Sequence, residues 1–349
     1  MEVDYIIVGC GLAGISFAEI LKANNKSFVV FDDNSQQSSI VAGGLYNPVT
    51  LKRFTPVWKS QEQLDLALPV YQTIEKDLGI QLDYKIAVKR RFTSTEEQNE
   101  WFARSDRPGL KPFINTTLSE NNNPKIKADF KLGEVLQTGR IDTKLLIEKY
   151  RQALSNKKLI ITEQFKYDKL IINANGVDYK NISAKHMVFA EGFGVKNNPF
   201  FNHLPLQGSK GQLLTIHAPD LKLDYVLKSS VFIIPLGNDL YRIGATYEQN
   251  DKNNSITQEA KQTLLDKLKT FTDFNFEVVN HVAGVRPTVK DRKPLVGQHH
   301  THKNLHILNG MGSRGVMIAP YIANQLFNCI ENNTPLDIEI DCSRFNYLF

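Results

Sequence analysis

Two kinds of residue in this 349-residue chain could do chemistry: glycines grouped so that backbone N–H groups can meet phosphate, and a few arginines set among apolar residues. The first glycine group is Gly9-Cys10-Gly11-Leu12-Ala13-Gly14. It follows an apolar, β-branched run, Tyr5-Ile6-Ile7-Val8, and precedes a segment, Ile15 to Asn24, with apolar residues at helical spacing. A second strand-like run, Ser27 to Phe31, ends at Asp32-Asp33. Strand, GxGxxG, helix, strand and acid in that order predict a dinucleotide site. Gly9 permits the tight turn, Gly11 lets the backbone approach a pyrophosphate, and Gly14 lets the helix pack close. The helix N-terminus turns its positive dipole end to the phosphates, and Asp32 can accept both ribose hydroxyls. The fingerprint alone does not separate NAD from FAD.

The rest of the chain bears on that choice. Ser38-Ser39-Ile40-Val41-Ala42-Gly43-Gly44 is a row of small residues suited to backbone pressed against a flat ligand. Far downstream, a strand-like run from Leu305 to Leu308 enters a second glycine turn, Gly310-Met311-Gly312-Ser313-Arg314-Gly315, followed by a helix to Asn332. That helix offers a second positive dipole end, where the anionic edge of a reduced flavin would be stabilised.

These motifs, with the strand Met187-Val188-Phe189-Ala190-Glu191-Gly192 and the run G-x-R-P-x-x-x-D-x-x-P-x-x-G from Gly284 to Gly297, resemble the D-amino-acid oxidase/glycine oxidase family of FAD-dependent amine oxidoreductases. The resemblance covers essentially the whole chain. Gly312-Ser313-Arg314-Gly315 looks most like one branch, the FAD domain of a bifunctional tRNA-modifying enzyme that removes a carboxymethyl group from 5-carboxymethylaminomethyl uridine.

The resemblance implies non-covalent FAD. Leu12 and Ala13 would meet its pyrophosphate, and Asp32, with Asp33, the adenosine ribose. Ser38, Ser39, Ala42, Gly43 and Gly44 would line the phosphates and the ring. Phe165, in a short strand from Ile160, would pack by the adenine. Gly192, Gly310 and the turn Met311, Gly312, Ser313, Arg314, Gly315, Val316 and Met317 would surround the flavin. The family reaction moves a hydride from an amine-bearing carbon to flavin N5, and the imine is then hydrolysed; no side-chain base is required if the amine binds neutral. Arg286 matches the family arginine that clamps a substrate carboxylate, with a structural ion pair to Asp291 as the alternative. Arg314 either meets a substrate anion or holds the flavin turn. Phe232 falls where glycine oxidases carry a pocket tyrosine; Tyr46 and Tyr247 either restore a polar wall or simply pack. The expected substrate is a small amine or amino acid, with tRNA as the alternative partner.

For the elements that must position these residues the resemblance implies an α/β fold: an FAD-binding, Rossmann-like domain with an intertwined β-rich substrate domain. The first is expected at 1–83, 141–205 and 284–349, the second at 84–140 and 206–283. Strand-like runs at Gln212 to Ile216, Val231 to Pro235 and Tyr241 to Tyr247, and a helix from Gln258 to Phe271, suit the second domain. Composition narrows the class further. Lys plus Arg is 42 against 37 Asp plus Glu, a net +5 that permits acidic partners without demanding them. Cys10, Cys329 and Cys342 are too scattered for a disulfide framework or a CxxC metal site, so a reducing, cytoplasmic setting is expected. The N-terminus reads as a strand and not as a leader, and no apolar run is long enough to span a membrane. His299, His300 and His302 lie in a predicted surface turn with no carboxylate or cysteine at ligand spacing, so no metal is expected. Lys52 and Arg53 follow Asn47-Pro48 and read as a solvated loop or as a steering charge at the entrance.

Overall fold

The computed structural model describes residues 1–348; Phe349, the last residue of the expected FAD domain, lies outside the described residues. The strand Glu2–Val8 is apolar on both faces, so it can only be central to a covered sheet. It pairs in parallel with Phe28–Phe31 on one side and with Ile182–Phe189 on the other. The far side of Ile182–Phe189 is shared. Gly176–Tyr179 runs antiparallel to its first half, and Leu305–Asn309 runs parallel to its second half. This split joins the two ends of the chain. Three parallel strands finish at one edge of an eight-stranded sheet, and each runs into a turn: Val8 into Gly9, Phe189 into Ala190-Glu191-Gly192, and Asn309 into Gly310. Asn309 Nδ2 donates to the Gly192 carbonyl at 2.9 Å and ties the second turn to the third. The carboxyl edge of such a sheet is where α/β folds take ligands.

The helix Leu12–Ala23 is buried along most of its length, and the helix Gly315–Asn332 packs across it. Outside that pair lies the unanticipated helix Ser60–Leu78; Pro69 in its interior interrupts the usual helical signal. From this helix the buried Tyr71 hydroxyl donates to the Val316 carbonyl at 2.9 Å and fixes the first turn of Gly315–Asn332. The strand expected to reach Phe165 stops at Ile161. Its one partner among the described residues, Phe28–Phe31, ends opposite that residue.

The second sheet has seven strands. Ser209–His217 runs between Glu277–Arg286 and Leu240–Gly244. The expected domain border at 283/284 falls inside Glu277–Arg286. The strand expected to reach Tyr247 stops at Gly244, opposite Phe232 at the start of its neighbour. The chain beyond it turns back, and Lys210 and Glu248 exchange backbone hydrogen bonds at 2.8 and 2.9 Å. Register sets the face turned toward the first sheet: Leu213, Gly244, Phe232, Lys228 and Arg90 stand in one row across it. Among the described residues no helix is long and apolar enough to cross a membrane.

Candidate active site

The three turns and the segment 35–44 frame a cleft with two recesses. One is lined by Gly9, Asp32, Asp33, Phe165, Tyr167 and Glu191. The other is lined by Leu12, Ser38, Ser39, Ala42, Gly43, Gly44 and the turn residues Met311, Gly312, Ser313, Gly315 and Val316. Between them the segments Gly9–Leu12 and Ser35–Ser39 approach each other and form a neck. The neck is tight because its surfaces are backbone. A Cβ on Gly14 would overlap the Gly9 carbonyl, and one on Gly9 would overlap the Ala190 carbonyl. Across the neck, Ser39 Oγ accepts the Leu12 N–H at 3.3 Å, and a Cβ on Gly11 would stand 3.1 Å from it. A polar recess, a glycine neck and a flat apolar recess beneath a helix N-terminus fit adenosine, pyrophosphate and a flavin ring in that order.

The flat recess continues onto the second sheet, where Gly211, Leu213, Phe232, Ala245 and Arg286 complete it. Arg286 lies directly over Gly211, where a Cβ would overlap its guanidinium. A Cβ on Gly244 would stand 2.6 Å from Phe232 Cζ. Glycines in this sheet therefore make the floor on which the arginine and the aromatic ring lie. Burial lowers the pKa of Arg286. The one hydrogen bond of its guanidinium among the described residues is a long one, 3.4 Å to the Thr246 carbonyl. The alternative partner is engaged elsewhere, since Asp291 accepts from Arg344 Nε at 2.9 Å. A buried guanidinium with no carboxylate is costly until an anion joins it.

Other expected site residues sit differently. Arg314 points out of the recess and donates to Thr50 Oγ1 at 2.7 Å, so it clamps the 49–53 turn to the helix start. Met317 and Ala13 are buried behind the cleft wall. Tyr46 is buried away from both recesses, with its hydroxyl donating to Asp83 at 2.8 Å and accepting from Lys85 at 3.1 Å. Tyr247 is 57% exposed, on the loop beyond Gly244. Lys52 and Arg53 are exposed. His299 is not on the surface; it is buried edge-on to Phe201 and stacked with His302. Among the described residues no group of three His, Cys, Asp or Glu side chains could hold a metal ion. Cys10 is buried, its thiol pushed up to about 12 by desolvation.

Sequence reasoning missed Gly211 and Leu213 in the flat recess and two residues at the polar one. Arg151, from the helix Thr143–Asn156, pairs with Asp32 at 2.6 Å, while Asp32 also accepts the Cys10 N–H at 2.5 Å and the Asn34 N–H at 2.8 Å. Sequence spacing gives no hint of a partner more than a hundred residues away. Glu191 is the second. Buried at the polar recess, it accepts from Tyr167 at 2.5 Å and Asn198 at 2.8 Å. Desolvation pushes its carboxyl up to about 7 from an ordinary 4.5. The folded state therefore holds a proton there that the unfolded chain releases near 4.5, so this contribution is full below that pH and is lost as pH rises to about 7. Glu191→Gln should gain melting temperature relative to wild type as the buffer moves from about pH 5 to about pH 8. Parallel melting curves would show that Glu191 stays ionised throughout.

The family model for FAD-dependent oxidoreductases designated DAO matches residues 4–328. Glycine oxidase of Bacillus subtilis (strain 168) is 27% identical over 159 residues, 44% of this chain and 42% of that protein. The tRNA 5-methylaminomethyl-2-thiouridine biosynthesis bifunctional protein of Legionella pneumophila (strain Corby) is 26% identical over 149 residues, 41% of this chain and 22% of that protein. The alignments thus span well under two thirds of either relative. In fold, the chain superposes on glycine oxidase from Geobacillus kaustophilus with a TM-score of 0.79 at 17% identity, covering 99% and 98% of the two chains. For iminodiacetate oxidase from Chelativorans sp. BNC1 the values are 0.78, 16% and 96% of each chain. With the cleft described above and a match over nearly its whole length, this chain belongs to the DAO family of FAD-dependent oxidoreductases.

Proposed function

We propose that the protein oxidises the CH–NH bond of an amino acid or N-substituted glycine and releases a 2-oxo acid and the amine after hydrolysis of the imine. The observation that carries this reading is Arg286, half-buried beside the flat recess with no carboxylate paired to it among the described residues. When bound, the flavin supplies a two-electron acceptor for the hydride. Arg286 takes the substrate carboxylate in a bidentate grip and so orients the neighbouring carbon. Leu213 and Phe232 keep water from that carbon, and the start of Gly315–Asn332 favours negative charge in the recess. Cleft residues present no side chain that must act as base, and an amine bound neutral needs none. Incubation with glycine, sarcosine and D-amino acids, followed by assay of 2-oxo acid and amine, tests the reading; absence of both products with every member counts against it.

A second reading, removal of the carboxymethyl group from tRNA, draws on one feature. The exposed Lys52 and Arg53 sit on the turn that Thr50 ties to Arg314, beside the recess. If tRNA is the substrate, log affinity should fall linearly with log salt, by roughly 0.7–0.9 per phosphate contacted, and Lys52→Glu with Arg53→Glu should weaken binding. A flat salt response leaves the small substrate.

A further inference from the structure

Phe232 forms one wall of the recess that holds Arg286. Directly across the ladder from it stands Lys228, so both side chains leave the same face of the sheet. Lys228 Nζ lies 5.7 Å from the centre of the Phe232 ring. Next in the row is Arg90, whose guanidinium is taken up by Glu97. Among the described residues no carboxylate pairs with Lys228, and the two charges that act on it, Arg90 and Lys267, are both positive. Burial, more than these neighbours, pulls its pKa down to about 8. A ring face offsets only part of what it costs to keep an ammonium there. An anion arriving with a ligand would remove the rest.

Strand geometry says which ligand could bring it. The Arg286 guanidinium lies over Gly211 on Ser209–His217, and Lys228 is three strands away in the sheet order. At ~4.8 Å per strand the two positions are about 14 Å apart across the sheet and two residues, roughly 7 Å, apart along it, before the lysine's own reach is counted. Between them lie Leu213, Gly244 and Phe232, an apolar path.

We infer that Lys228 is a specificity-determining residue: it receives a second anionic group, carboxylate or phosphate, at the far end of the N-substituent of a glycine-type substrate whose own carboxylate is held by Arg286. The inference rests on the amine-oxidising reading above and names its substrate class. The substrate is an N-substituted glycine with an apolar stem and a distal anion, rather than free glycine or a neutral amino acid. The stem lies along Phe232, which explains an aromatic wall without a hydroxyl at that position.

Four probes test it on the flavin-loaded protein: N-(5-carboxypentyl)glycine, N-hexylglycine, and 5-carboxymethylaminomethyluridine with and without a 5′-phosphate. Wild type should favour an anion-tailed probe over its neutral counterpart by about 10- to 100-fold in kcat/KM. Whichever pair shows the preference identifies the anion's source, a carboxylate or a nucleotide phosphate. Lys228→Met should collapse that ratio toward one through KM, while Lys228→Arg should keep most of it; equal flavin content in all three proteins verifies folding. Equal kcat/KM for charged and neutral tails in wild type, or a preference that survives Lys228→Met, overturns the role of Lys228 and leaves amine oxidation standing. Turnover of none of the probes overturns both.

Discussion

Gly14→Ala should yield protein that retains no FAD and is unstable or insoluble. The added Cβ would overlap the Gly9 carbonyl, and Gly9 is itself held against the Ala190 carbonyl with φ at +106°. Backbone opposes backbone at both contacts, so no side chain can rotate to make room. The cost should exceed the ~1–3 kcal/mol usual for overpacking against side chains. It falls on the turn that joins the central strand to the pyrophosphate neck. Gly79→Ala is the control. Gly79 ends the helix Ser60–Leu78 at φ +63°, and a Cβ there meets nothing within 4 Å. That substitution should cost only about 1 kcal/mol and leave flavin content unchanged. The flavin-to-protein ratio and the soluble fraction of the two variants decide the matter. Normal FAD content in Gly14→Ala would mean that the neck does not carry the cofactor.

Gly211→Ala and Arg286→Lys should both keep FAD and lose substrate. In the first, the methyl group takes the space of the Arg286 guanidinium and pushes it off the sheet. In the second, a point charge replaces a planar fork. Each should weaken a carboxylate substrate by roughly 1.5–3 kcal/mol, about 10- to 100-fold in KM or kcat/KM. Since the two changes act on one contact, the double variant should be little worse than either alone. Additive losses would place Gly211 in some other role.

Local chemistry along the chain made the nucleotide half of the cleft legible. Gly9 to Gly14, Asp32 and the turn from Gly310 to Gly315 are contiguous motifs whose spacing carries its own geometry. Arg286 was legible as a residue type in a motif. Its isolation was not, because that depends on Asp291 turning to Arg344. The glycine floor was hidden for a related reason. Gly211 matters only because strand register lays the Arg286 side chain over it, and a periodic pattern does not specify which strand lies alongside. Tyr46 looked available beside the glycine segment, yet it fills the space left by Gly139, where any Cβ would overlap its ring. Arg151 and Glu191 belong to the same class: a helix and a turn distant in sequence supply groups to the recess that Asp32 lines. The strand end at Ile161 falls where its partner ends, not where its own residues lose β character, whereas beyond Gly244 one neighbour has ended at Phe232 while Ser209–His217 runs on.

Arg286 is proposed to hold a carboxylate while the adjoining carbon gives its hydride to bound flavin. Anaerobic mixing with an N-substituted glycine, followed by flavin absorbance, measures this most directly. Wild type should bleach, with a half-saturating concentration set by carboxylate binding. Arg286→Lys should bleach only at concentrations about 10- to 100-fold higher, with the same final amplitude. Bleaching by the matching amine that lacks a carboxylate, or an identical concentration dependence in wild type and Arg286→Lys, would contradict the account.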